Sequence, residues 1–176
     1  MAVDLLQWML DTLLGETTRV KVQVPINSDF LWRKGITVTE LEYRLRKHIA
    51  EMDFEKAAKL FLELTKEEQF NMILSAGFDT FHLTIYAFMN YLLQHHESSE
   101  IHDLTSSLML HPLCHLEGAC VIALFHAKKA VELDPDNIEW YINLLMFEKH
   151  PDAWFAQSEV EEVYRRIKEL ESKNLK

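Results

Sequence analysis

The segment from Ala123 to Asn137, ALFHAKKAVELDPDN, constrains the fold of this chain more than any other. Ala123 and Ala130 are seven residues apart, so in a helix they lie on one face, where a second helix can approach closely. Pro135 has no backbone N–H and disfavours the α conformation at the preceding residue, so the helix must end just before it. We expect Asp136 to cap the helix that follows. The segment therefore predicts a helix, a tight turn and a second helix.

Helical signals continue along most of the chain. Only four glycines and four prolines occur among the 176 residues, which favours long regular elements over a turn-rich β sandwich. We expect a short helix after Thr65 to end at Gly77, and a long helix to run from about Leu113 to Leu133. Side chains suited to capping mark the helix starts: Thr37 with Glu40, Asp53, Thr65 with Glu68, Asp79, Ser98 or Ser99, and Ser158 with Glu161.

The first 36 residues differ from the rest. Leucine and methionine side chains recur with helical spacing up to Gly15, which predicts an N-terminal helix. Apolar and polar residues then alternate from Arg19 to Val24, so we expect one short β element or an extended arm near residues 18–24. Residues 37–176 form a helical-repeat-like body. The sequence thus predicts a single, mainly α domain over residues 1–176, built of stacked antiparallel helix pairs.

Two places resemble the tetratricopeptide repeat. Met52-Asp53-Phe54, followed by Ala57 and Phe61, is similar to the turn and second helix of one repeat, and the Ala123–Asn137 segment to another. Ala57 and Ala123 are separated by about two repeat lengths of 34 residues. The resemblance covers about a third of the chain, and Asn90 and His111 depart from it where the family has small residues. It implies a divergent tetratricopeptide-like or HEAT-like scaffold that binds other proteins or peptides.

The charge balance narrows the class of partner. Lysine and arginine number 18 against 28 aspartates and glutamates, which gives a formal net charge of −10. Such a surface repels nucleic acid and attracts basic proteins, although solubility alone also accounts for it. No apolar run is long enough for a membrane span, and Met1–Leu14 lacks the basic start of a signal peptide. We therefore expect a cytoplasmic protein that binds neither nucleic acid nor membrane.

These features favour a small protein-binding module, either an adaptor or an immunity-type protein, that engages a basic protein partner through an acidic surface. Tryptophan side chains are common anchors at protein interfaces. The candidate partner-binding residues lie in the second half of the chain: Asp134, Asp136, Glu139, Trp140, Glu148, Asp152, Trp154, Glu159 and Glu162.

An enzyme is the main alternative, and it would depend on a metal. His111 and His115 are four residues apart, as in helical zinc sites, and Glu117 is close by in the sequence. However, no HExxH motif, nucleophile elbow or phosphate-binding glycine loop is present, and Cys114 and Cys120 are spaced to lie on different helix faces. We expect no catalytic activity, no cofactor and no metal. A structural subunit that forms a homodimer is the third interpretation.

Overall fold

A computed structural model describes residues 38–80, 82–150 and 152–174. The chain divides into two compact units, Met1–Arg44 and Leu45–Lys176. In the first unit only the beginning of one helix is described, so all packing below belongs to the second unit. The predicted N-terminal helix and the β element near residues 18–24 lie outside the described residues.

The described part of the chain is mainly α-helical, as the sequence predicts, and contains no β-strand. None of its helices has the length and apolar character needed to cross a membrane. The helices are α1 (Val38–Ala50), α2 (Phe54–Phe61), α3 (Lys66–Thr80), α4 (Leu83–His96), α5 (Ser99–Leu110), α6 (Ala119–Leu133), α7 (Ile138–Leu144) and α8 (Gln157–Asn174), with a 3₁₀ turn at Leu145–Phe147 after α7.

Two of the predicted caps are present. The backbone N–H of Thr65 donates to Glu68 Oε2 at 2.8 Å, and the N–H of Glu68 donates to Thr65 Oγ1 at 3.3 Å, which is a reciprocal capping box. Ser98 Oγ accepts a hydrogen bond from the N–H of Ile101 at 3.3 Å and caps α5. These bonds satisfy backbone donors that have no partner within the helix.

The expected helix boundaries around Gly77 and Asp79 are wrong. Helix α3 continues through Gly77 to Thr80. Glycine serves close packing here rather than helix termination, because an added Cβ would lie 2.7 Å from Pro112 Cβ and 2.9 Å from Leu108 Cδ1. Asp79 lies in the last turn of α3 and accepts a hydrogen bond from Arg46 Nη1 at 2.7 Å, so it does not start α4.

Three other local expectations are also corrected. Helix α6 begins at Ala119 rather than near residue 113, after turns that end at Gly118 with φ of 79°. Asn137, not Asp136, caps α7, because its side chain accepts from the N–H of Glu139 at 3.0 Å. Helix α8 begins at Gln157, one residue before Ser158, and the Glu159 carboxylate bonds the N–H of Ala156 at 3.1 Å.

The core of the second unit is apolar and largely aromatic at one end. Phe61 and Phe88 are fully buried with their rings edge to face, 5.6 Å apart. The small residues of the repeat-like segments, Ala57, Ala123 and Ala130, are buried as expected. Among the described helices the most extensive contact is between α5 and α6, which forms the framework for the polar groups described below.

Candidate functional site

Most of the acidic side chains in the candidate surface already have partners within the chain. A charge that is paired internally is less available to a second protein. Five of the seven acids are bonded in this way: Asp134 by Trp140 Nε1 at 3.3 Å, Asp136 by Arg166 at 3.0 Å, Glu148 by the Tyr164 hydroxyl at 2.9 Å, Glu159 by Lys128 at 2.5 Å, and Glu162 by Arg165 Nε at 2.8 Å.

Glu139 and Asp152 differ from these five. Both are exposed, and neither carboxylate forms an ion pair or a side-chain hydrogen bond with any residue that the structure describes. The Glu139 carboxylate nevertheless acts at longer range on Asp103, whose pKa it helps to raise. Glu139 and Asp152 are therefore the two acids of the set whose charge is least compensated locally.

The two candidate tryptophans have opposite environments. Trp140 is 8% exposed and packs in the interior, with its indole N–H on Asp134. Trp154 is 93% exposed, the most exposed of the large hydrophobic side chains in the described residues. Burying a tryptophan removes about 150–250 Å² from water, so leaving one in solvent forgoes a large stabilisation. Of the two, only Trp154 is accessible to a partner.

Trp154 projects because its neighbours hold the backbone in place. Ala153 and Phe155 on either side both pack against the core, and Lys128 Nζ lies 5.4 Å from the centre of the Phe155 ring. The N–H of Ala153 bonds the carbonyl of His150 at 3.1 Å, while Ala156 is held by Glu159. Because Ala153 and Phe155 pack against the core, the indole of Trp154 between them faces outward. The hydrogen bonds on both sides hold the backbone of this segment in place.

A shallow groove of about 610 Å³ lies beside this segment, between α6, α7 and α8. Phe155 and Tyr141 supply aromatic walls, and charged side chains of both signs surround them. Lys128 is paired with Glu159, and Arg165 with Glu162, so the charges in the groove largely compensate one another. The groove therefore does not select an ion of one sign.

The histidines of the metal hypothesis are not gathered into a ligand set. Across residues 38–80, 82–150 and 152–174, no three histidine, cysteine, aspartate or glutamate side chains are arranged to hold a metal ion. His111 is the C-terminal cap residue of α5, and burial lowers its pKa. His115 and Glu117 lie in the turns that follow rather than on a helix.

The structure contains a buried contact between two histidines that the sequence did not indicate as a site. His102 on α5 and His126 on α6 are 4% and 3% exposed, and their Nδ1 atoms lie 2.8 Å apart. His102 Nε2 also lies 3.1 Å from Glu97 Oε1. Two imidazole nitrogens on one tetrahedral zinc ion would be about 3.3 Å apart, given Zn–N bonds of about 2.0–2.1 Å. The observed distance fits a shared proton better.

Two further polar contacts join distant parts of the chain. Asn143 Nδ2 donates to Asp103 Oδ1 at 2.8 Å, and burial raises the pKa of Asp103 to about 6. Cys120 Sγ lies 3.1 Å from His150 Nδ1, which also accepts from the N–H of Asp152. Burial, with the nearby Asp152, raises the pKa of the Cys120 thiol, so this cysteine is not an activated nucleophile.

Comparison with protein-family models, with curated proteins and with solved structures finds no match to this chain. The candidate site is therefore defined by its geometry alone.

Sequence reasoning could have placed His126 in the interior, since it lies between Ala123, Ala127 and Ala130 on the small-residue face of its helix. It could not have identified its partner, which is 24 positions away on a different helix.

Proposed function

We propose that this chain is a helical protein-binding module, of adaptor or immunity type, that engages a basic protein partner with Trp154 as its anchor. The outward projection of Trp154 from a segment with packed neighbours carries this proposal. An indole held in solvent on a fixed backbone loses little conformational freedom when a partner covers it, so most of its burial energy is available to binding. Tryptophan is also among the residues most often found at binding hot spots.

The charge of the partner follows from the surroundings of this anchor. Between residues 134 and 162 the chain has eight acids and one lysine. The Asp152 carboxylate lies two positions from Trp154, and it lacks an ion-pair partner among the described residues. A partner that places an apolar group on the indole and a lysine or arginine beside it would satisfy both features.

The packing order of the helices supports a repeat-like scaffold for this surface. Each helix from α3 to α7 contacts the next one along the chain, and α7 packs on α8 although the 3₁₀ turn separates them in sequence. Helices two apart also touch, α2 with α4 and α3 with α5. Contacts between near neighbours in sequence are the arrangement that stacked helix pairs produce.

The two alternatives make different predictions. A metal-dependent enzyme using His111, His115 and Glu117 would retain stoichiometric metal after purification. A homodimeric structural subunit would change its sedimentation coefficient with concentration in the micromolar range. Both measurements are made on residues 1–176.

Peptide display tests the proposed function while the partner is still unidentified. Random peptides on phage are selected on the immobilised wild-type protein, and the affinity of each recovered peptide is then measured for the wild type and for the Trp154→Ala variant. We expect the recovered peptides to be enriched in lysine and arginine, and to bind the Trp154→Ala variant about 30-fold more weakly, since a hot-spot residue contributes about 2 kcal/mol. Recovered peptides without basic enrichment, or with unchanged affinity for the variant, would contradict the proposal.

Two matched variants control this experiment. Phe125 on α6 is 53% exposed, so Phe125→Ala removes another exposed aromatic ring and should leave peptide binding unchanged. Because Trp154 makes almost no contacts, its replacement should alter the free energy of unfolding by less than about 0.5 kcal/mol. Trp140→Ala, by contrast, should cost about 3–5 kcal/mol because it empties a packed site.

A further inference from the structure

The His102–His126 contact is the one place where two imidazoles meet inside the described core. Their Nδ1 atoms are 2.8 Å apart with ring centres separated by 5.1 Å, and both side chains are nearly inaccessible to solvent. The contact joins α5 to α6, the two helices with the most extensive packing. Breaking it would therefore affect the centre of the second unit rather than its edge.

Hydrogen-bond chemistry limits how many protons this pair can hold. Glu97 is a carboxylate that can only accept, so His102 Nε2 carries a hydrogen. One further proton lies between the two Nδ1 atoms; in the uncharged pair it is on His126 Nδ1 and His102 Nδ1 accepts it, because His102 with both nitrogens protonated would be an imidazolium. A second proton there would place two N–H groups face to face at 2.8 Å, with a positive charge on His102 and a second one once His126 Nε2 is protonated as well. The packed geometry accepts one shared proton and excludes two.

The groups around the pair do not relieve this conflict. Glu97, in the connection before α5, can balance one imidazolium, and it is itself attracted to Lys129 on α6. Helix α4 presents the neutral ring of Tyr86 to His126, edge to face. Other charged groups of the packed helices act on other residues: Lys66 of α3 bonds Glu100, Glu139 of α7 acts on Asp103, and Lys128 of α6 bonds Glu159.

We propose that His102 and His126 form an acid-sensitive latch, which holds α5 and α6 together while the pair shares one proton and releases them when a second proton binds. This inference goes beyond the binding function and does not depend on it. The sign of the pH dependence follows from His126, because burial and the neighbouring His102 lower its pKa to about 4. A histidine with a lowered pKa in the folded state makes the protein less stable as pH falls below the ordinary value of about 6.5.

Unfolding by denaturant at a series of pH values tests the latch. We compare the wild-type chain with His126→Gln, in which the amide can still hydrogen-bond to His102 but takes up no proton. Between pH 7 and pH 5 the unfolding equilibrium constant of the wild type should rise about 20-fold more than that of His126→Gln. His82→Gln, which removes an exposed histidine at the start of α4, should behave as the wild type. Equal pH dependence in the wild type and His126→Gln would overturn the proposal.

A second measurement uses the wild type alone, so it applies even if His126→Gln does not fold. Nitrogen-15 NMR of the labelled histidines reports which ring nitrogens are protonated as the pH is lowered. We expect His102 and His126 to hold a single proton between their Nδ1 atoms at pH 5.5 in the folded protein. Two fully protonated rings at that pH, with unchanged amide protection in α5 and α6, would overturn the latch.

Discussion

At the scale of single residues, the described core contains two titratable sites whose burial shifts stability in opposite directions. His126 has a lowered pKa, so it favours the folded state at neutral pH relative to acid. Asp103 has a pKa raised to about 6, so its ionised form disfavours the folded state at neutral pH. The contributions of these two sites to the pH dependence of stability therefore partly cancel.

Replacing Asp103 with asparagine separates the two contributions. The new amide oxygen can still accept from Asn143 Nδ2, while the buried charge is gone. We expect Asp103→Asn to be more stable than the wild type at pH 8 by about 1–3 kcal/mol, because two pKa units correspond to about 2.7 kcal/mol. The difference should vanish near pH 3, where the carboxyl is neutral in both states. Denaturant unfolding at pH 8 and pH 3 measures it; a gain that persists at pH 3 would contradict this origin.

At the scale of helices, Gly77 gives a test of packing against helix propensity. Alanine is favoured over glycine within a helix by about 1 kcal/mol. At Gly77, however, the added methyl group would collide with Pro112 and Leu108, and overpacking typically costs about 1–3 kcal/mol. We expect Gly77→Ala to lower the midpoint of thermal unfolding, although it improves local propensity. Gly118→Ala is the comparison: nothing lies within 4 Å of the new Cβ, so any cost there comes from its positive φ alone.

The helical elements could be predicted from sequence because their signals are local. Thr65 with Glu68 and Ser98 form caps within three residues, so spacing alone identifies them. The errors at Gly77 and Asp79 have a different cause. Glycine often ends a helix and aspartate often starts one, but here tertiary partners, Pro112 and Arg46, determine both roles. Nothing in the surrounding residues reveals partners more than 30 positions away.

The candidate site was predictable only in part for the same reason. Sequence identified Trp154 and Asp152 as candidates, and both are exposed. It grouped them with Trp140, Glu159 and Glu162, although one is buried and the others are paired with cations. Exposure and ion pairing depend on how α6, α7 and α8 meet. Composition gives the number of charges in a segment but not how many remain uncompensated.

At the scale of the whole molecule, the net charge of −10 should govern how fast a basic partner arrives. With a lysine-rich peptide obtained by display, the association rate should fall as salt rises from about 0.05 to 0.5 M, because the Debye length shortens. Reversing the two uncompensated acids, as Asp152→Lys with Glu139→Lys, should slow association several-fold at low salt and change dissociation little. Stopped-flow mixing measures both rates. Association that is indifferent to salt and to both reversals would leave solubility as the role of the charge.

The two cysteines differ in a way that makes the protein easy to label at one site. Cys114 is exposed in the turns between α5 and α6, whereas Cys120 is buried against His150 with a raised thiol pKa. Thiol reagents attack the thiolate, so at neutral pH a maleimide dye should react with Cys114 well before Cys120. Cys114 is therefore a single site for selective labelling, and it lies next to α5 and α6, the two helices that His102 and His126 join. A fluorophore there could follow the separation of α5 and α6 in real time without removing any native residue.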